Sequence, residues 1–130
     1  MGGSYDQRCD IWSLGVILYI LVTAVPPFDG DNDKEIIEAV KKGNYDLEIE
    51  EMKPVSKDCK DLIFRMLQPE DKRITLEKIY QHPWIRAEVP STPLKLNFKR
   101  LKEFVKFNKV QPLLSLASKD CCKLRRFEIL

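Results

Sequence analysis

Apolar side chains fill nearly every position from Ile11 to Val22, broken by Ser13 and Tyr19. A helix that is apolar all round has no face to give to water, so this stretch predicts a helix buried on most sides, with neighbours on every face. Pro26-Pro27 must stop it, because neither residue donates a backbone hydrogen bond and each restricts the residue before it. After a loop through Asp31, Asn32 and Glu35 have the spacing of a capping box and start a short amphipathic helix carrying Ile36, Ile37 and Val40, with Gly43 suited to its end. The clearest helical period follows Ser56, a good N-cap, where Cys59, Leu62, Ile63, Met66 and Leu67 recur at i, i+3, i+4, i+7 and i+8 until Pro69. Thr75 can cap a fourth helix through Leu76, Ile79 and Tyr80, which His82-Pro83 terminates ahead of Trp84 and Ile85. No segment sustains strand alternation and no internal repeat occurs, so the body is expected to be all-α, with about four helices.

The pattern changes after Arg86. RAEVPSTP carries two prolines and little apolar content, and residues 87–93 read as a linker. Residues 94–109 place Leu94, Phe98, Leu101 and Val105 on one stripe, widened by Phe104 and Phe107. Lys95, Lys99, Arg100, Lys102, Lys106 and Lys109 surround that stripe, which makes the segment a basic amphipathic helix. Residues 110–130 match neither pattern and are expected to be a disordered basic tail.

Length and charge sharpen this division. A chain of 130 residues, 44% hydrophobic and 32% charged, has room for one compact domain or for part of a larger one with a tail. Its net charge of +2 hides a split: residues 1–89 sum to −5 and residues 90–130 to +7. A folded acidic body with a basic appendage suggests an acidic partner for the appendage. Cys9, Cys59, Cys121 and Cys122 lack zinc-ligand spacing and fit a reducing cytoplasm, the expected location. The longest apolar stretch, Ile11 to Val25, is 15 residues, short of the roughly 20 of a membrane helix. No secretory signal is expected, and Asp6 stands where a myristoylation motif wants Ser or Thr. Cys121-Cys122 beside Lys123, Arg125 and Arg126 would suit palmitoylation near an anionic surface, but a plain basic terminus explains them as well, and a membrane partner is not expected.

Four strings in register carry a resemblance: Asp10-Ile11-Trp12-Ser13-Leu14-Gly15-Val16, Pro26-Pro27-Phe28, Asp71-Lys72-Arg73-Ile74-Thr75 and His82-Pro83-Trp84-Ile85. Over about residues 4–86 the chain resembles the C-terminal lobe of a eukaryotic Ser/Thr protein kinase, which assigns residues 1–86 to part of that lobe. With the linker and FKRLKEFVKFNK added, it looks like a calcium-dependent protein kinase of the type that has its own calmodulin-like domain, residues 94–109 starting the autoinhibitory junction. The resemblance implies that residues 11–22 are the central helix of the lobe, with Trp12 and Gly15 as scaffold. It further implies that Asp10 supports the backbone of the catalytic loop and that Arg73 pairs with the glutamate of an Ala-Pro-Glu motif.

The catalytic parts of that family are not encoded here. Phosphoryl transfer needs a glycine-rich loop over ATP, a strand lysine, a His-Arg-Asp loop and an Asp-Phe-Gly metal ligand. The single histidine, His82, precedes Pro83; the five glycines form neither a glycine-rich loop nor Asp-Phe-Gly; and no alanine precedes proline, so the partner of Arg73 is missing too. Ala39-Val40-Lys41 mimics the strand lysine motif but lies at helical spacing. Asp29-Gly30-Asp31-Asn32-Asp33 mimics a calcium loop, yet Lys34 and Val40 stand where glycine and the bidentate glutamate belong. The acidic stretch from Asp29 to Glu51 then reads as a solvated face, one that in the parent kinase could help select basic substrates. The tail has only Asp120 and Glu128 as acidic residues, too few for a calcium loop.

No catalytic, cofactor or metal residue is therefore expected in this chain, ATP, Mg2+ and Ca2+ belonging to the parent family. The first functional reading is a fragment of a calcium-dependent Ser/Thr kinase, unable to transfer phosphate alone and complemented by the rest of a kinase domain. The second is a binding module whose helix, through Phe98, Leu101, Phe104, Val105 and Phe107 with Lys99, Arg100 and Lys102, engages a calmodulin-like acidic partner. Nucleic acid is not expected, because the phenylalanines follow helical core spacing and no nucleic-acid motif occurs.

Overall fold

A computed structural model describes residues 3–89 and 98–106, with backbone alone at 3–6, 98 and 104–106. Six helices follow in order: α1 (Gly3–Thr23), α2 (Asp33–Lys42), α3 (Lys57–Met66), α4 (Leu76–Gln81), α5 (Pro83–Arg86) and α6 (Phe98–Lys106), with a 3-10 turn at Glu50–Met52. No strand occurs among the described residues. The all-α expectation holds.

The caps that the sequence announces are formed. The Asn32 side chain accepts from the Glu35 amide at 3.0 Å. Glu35 reaches back to the Asp31 amide at 2.7 Å, one residue beyond the usual capping-box partner, and Gly43 closes α2 in the left-handed conformation with φ 64°. Ser56 accepts from the Cys59 amide and Thr75 from the Lys78 amide, starting α3 and α4.

Three features depart from the sequence pattern. Helix α1 begins well before its apolar run, because its first turns are polar and hydrophobic periodicity reports only the packed part. It also stops before the prolines: Thr23 Oγ1 donates to the Tyr19 carbonyl at 2.7 Å, and Ala24 turns into the left-handed region at φ 57°. Pro83 does not merely end α4. It takes the first position of α5, where a missing N–H costs nothing, and His82 becomes the N-cap.

Two clusters of buried side chains meet along α1. The larger joins Trp12, Val16, Tyr19 and Ile20 to Phe28, Met52, Cys59, Ile63 and Leu67; the smaller joins Ile11 to Leu62, Met66 and Ile79. Leu18 and Trp84 are partly buried against both. Trp12 stacks on Phe28 with ring centroids 5.6 Å apart, and Tyr45 meets Phe28 edge-on at 6.0 Å. The Tyr19 hydroxyl donates to the Asp46 carbonyl at 2.6 Å, which satisfies its polar end within the core. Burial first, then Asp46 and Glu51, pushes its pKa up to about 12.

The opposite side of α1 is bare. Leu14, Ile17 and Leu21 are 47%, 42% and 48% exposed, spaced as one helical stripe. Among the described residues α1 thus has neighbours on one side, where its composition calls for them all round. Fully burying such a side chain is worth about 1.5–3 kcal/mol, so much of the stabilisation available to α1 is unused. The purified chain should therefore bind a hydrophobic dye and melt broadly, and Ile17→Glu should cut dye binding severalfold with helical circular dichroism retained. A sharp two-state melt of a dye-silent monomer would contradict this.

Candidate functional site

Helix α6 owes its position to a turn that hydrophobic periodicity does not announce. The 3-10 turn at Glu50–Met52 buries Met52 completely and leaves Glu51 at the surface beside it. Arg100 Nη1 donates to Glu51 Oε1 at 2.9 Å, and Leu101, the next residue, is half-buried against the larger core cluster. A charged and an apolar side chain on adjacent residues thus place α6 against the body. The Glu51 carboxyl is held below the usual carboxylate range, first by a hydrogen bond from its own backbone amide and then by that from Arg100. Lys99 and Lys102 are exposed.

The helical backbone puts positions 98, 101 and 105 on one face, with 104 next to it. The expected helix at 94–109 is thus described over Phe98–Lys106; its flanks, including Phe107, the linker end and the tail from 110, lie outside the described residues. Of the apolar positions proposed for partner binding, the structure places the side chain of Leu101, and that side chain faces the body.

The scaffold residues named from the resemblance gather around α1. Trp12 is buried on Phe28, whereas Asp10 lies exposed near the polar start of the apolar run. Gly15 sits where α1 meets the end of α3: a Cβ there would lie 2.9 Å from Met66 Cβ and 3.0 Å from Leu67 Cδ2. Arg73 Nε donates to the Gln68 carbonyl at 3.0 Å and Nη1 to the Arg8 carbonyl, so this guanidinium ties the loop between α3 and α4 to α1. Arg8 in turn pairs with Glu70 at 3.3 Å.

The sequence reading missed one polar cluster. His82, almost fully buried, contacts Asp61 Oδ2 through Nε2 at 2.7 Å, and the same carboxylate oxygen accepts from Arg65 Nε at 2.8 Å. The signal available was a lone histidine between two helical segments, but its partner is 21 residues away and invisible to local pattern.

Burial pushes the Cys59 thiol up to about 11, which makes it a poor nucleophile at neutral pH. Among the described residues no three His, Cys, Asp or Glu side chains converge to hold a metal ion, and no helix is long and apolar enough to cross a membrane. The acidic loop turns its side chains on its own backbone, Asp29 accepting from the Gly30 amide and Glu35 from that of Asp31.

Comparison with known proteins agrees with this architecture. The protein kinase domain family matches residues 2–85. Calcium-dependent protein kinase 21 of Arabidopsis thaliana is 42% identical over 113 residues, covering 85% of this chain and 21% of the relative. Calcium-dependent protein kinase 5 of Plasmodium falciparum (isolate 3D7) is 38% identical over 137 residues, covering 95% of this chain and 24% of the relative. The chain thus spans between a fifth and a quarter of the length of these relatives. Among solved structures, the twitchin kinase region of C. elegans superposes with a TM-score of 0.70 at 26% identity, over 83% of this chain and 21% of that one. Helices packed as the motifs imply and a family match over most of the chain lead to one assignment: the chain belongs to the protein kinase family, and it is similar, near 40% identity, to calcium-dependent protein kinases.

Proposed function

We propose that this chain supplies the later part of a kinase C-terminal lobe together with the start of a junction, that it transfers no phosphate by itself, and that α6 is the element a calcium-loaded calmodulin-like partner captures. The observation that carries the reading is a basic amphipathic helix seated on a kinase-lobe body by Arg100 on Glu51 and Leu101 on the core. Support comes also from the Plasmodium relative, whose match covers 95% of the chain and so must extend through α6.

Helix-in-groove capture needs an apolar stripe for the groove and a cationic rim for its acidic walls. Leu101 and Arg100 serve the body in the closed arrangement and would serve the partner in the open one, so the two states exclude each other. Charge should speed encounter, while apolar burial supplies most of the affinity. The bare stripe of Leu14, Ile17 and Leu21 supports a second contact, with the rest of a kinase domain, since α1 otherwise lacks cover there. Cys9 and Cys59 are buried thiols, which suits a cytoplasmic setting. The alternative is a stand-alone binding module, and it differs only in needing no kinase half on α1.

The catalytic half of the proposal predicts silence. Calorimetry with ATP–magnesium and a radiolabel assay on a generic basic peptide should show neither micromolar binding nor turnover, and activity surviving repurification would refute it.

For the junction, the full chain titrated against calcium-loaded calmodulin should give saturable binding that a chelator abolishes, because the groove closes without calcium. Phe104→Ala should weaken it by roughly tenfold or more, the cost of removing one ring worth about 1.5–3 kcal/mol. Lys99→Ala should act mainly on association rate and salt dependence. Glu51→Gln should tighten binding, since it releases Arg100. Absence of a calcium-dependent signal up to about 100 μM, an affinity of roughly −5.5 kcal/mol, would leave α6 a solvated basic helix.

A further inference from the structure

We propose that the corner between α4 and α5 is a proton-operated latch, in which neutral His82 holds α5 closed and the imidazolium lets it go. His82 caps two helices at once. Its amide donates to the Ile79 carbonyl at the end of α4, and its carbonyl accepts from the Ile85 and Arg86 amides at the start of α5. Its ring completes the second cap: Nδ1 accepts from the Trp84 amide at 3.1 Å while Nε2 faces Asp61 Oδ2 at 2.7 Å.

A backbone N–H can only donate, so Nδ1 must be unprotonated and the proton must sit on Nε2, directed at Asp61. This fixes one neutral tautomer. Protonation places an N–H on Nδ1 opposite the Trp84 N–H, two donors face each other, and the bond that starts α5 is lost. The Nε2 bond to the Asp61 carboxylate survives in both states and becomes an ion pair in the second.

The charged surroundings do not undo the loss. From α3, Asp61 faces the ring and Arg65 shares the same carboxylate oxygen, so the new positive charge meets a carboxylate already paired. On α5, Arg86 donates through Nε to the Tyr80 carbonyl at the end of α4. The Asp61 carboxyl is held below its usual range, first by the His82 bond and then by Arg65, and so it stays charged from pH 8 to 5. The imidazolium is therefore retained on α3 while α5 is freed. Trp84, partly buried against both core clusters, is the residue whose amide is released, and α5 leads into the linker toward α6.

Nitrogen-15 spectroscopy of the full chain tests this directly. At pH 8 His82 should be the Nε2–H tautomer. On acidification, once the ring has taken up its proton, the protection factor of the Trp84 amide should fall roughly tenfold, the loss expected for one hydrogen bond. His82→Asn puts an acceptor that does not titrate at the N-cap, and should remove that pH dependence. The Nδ1–H tautomer or an imidazolium at pH 8, Trp84 protection unchanged after His82 is protonated, or the same pH dependence in His82→Asn would each overturn the proposal. The wild-type tautomer decides by itself if the variant does not fold.

Discussion

The close approach of α1 to the end of α3 at Gly15 sets the geometry on which the rest depends. With a Cβ of any residue falling 2.9 Å from Met66 Cβ, only glycine lets the two helices come this near. At that separation Trp12, Val16 and Ile20 share one buried cluster with Cys59, Ile63 and Leu67, and Ile11 shares another with Leu62 and Met66. The contact also decides where loops can go. Phe28, carried back past Pro26-Pro27, stacks on Trp12, and Met52 is fully buried in the same cluster. The surface position of Glu51 follows from the burial of Met52, and the seat of α6 follows from Glu51.

The chain therefore combines a well-specified interior with a partly apolar exterior. Its interior polar groups find partners: Tyr19 on the Asp46 carbonyl, Thr23 on the Tyr19 carbonyl, and His82 on Asp61. Its surface keeps the Leu14, Ile17 and Leu21 stripe in water, a costly arrangement for a body of this size. Among the described residues, α1 is exposed along one apolar side, and α6, of opposite charge to the body, meets it through Arg100 on Glu51 and Leu101 on the core. Kinase-family membership gives these features a common origin.

What could be read from the sequence was what depends on near neighbours. The starts of α2, α3 and α4 were legible because Asn32, Ser56 and Thr75 reach amides three residues ahead. The core face of α3 was legible because its period repeats without interruption from Cys59 to Leu67. The turn at Glu50–Met52 was not, since three residues carry no period and Met52 is buried by contacts from elsewhere in the chain. Arg100 finds Glu51 across 49 positions and His82 finds Asp61 across 21, so neither pairing leaves a local trace. The family motifs pointed to Gly15, Trp12 and Arg73 as scaffold, but the carbonyls that hold Arg73 emerge only when the loop from Gln68 and the start of α1 are side by side.

Gly15→Ala offers the most direct measurement of the central contact. In a free helix alanine is better than glycine by about 1 kcal/mol, so helix propensity alone predicts a more stable protein. A Cβ pressed against Met66 and Leu67 instead forces α1 and α3 apart, at a cost of about 1–3 kcal/mol that outweighs the gain. Urea titrations followed by far-ultraviolet circular dichroism should place the midpoint of Gly15→Ala below that of the parent chain. A midpoint equal to or above the parent's would show that α1 and α3 are not held at the separation described, and the account built on that contact would fail.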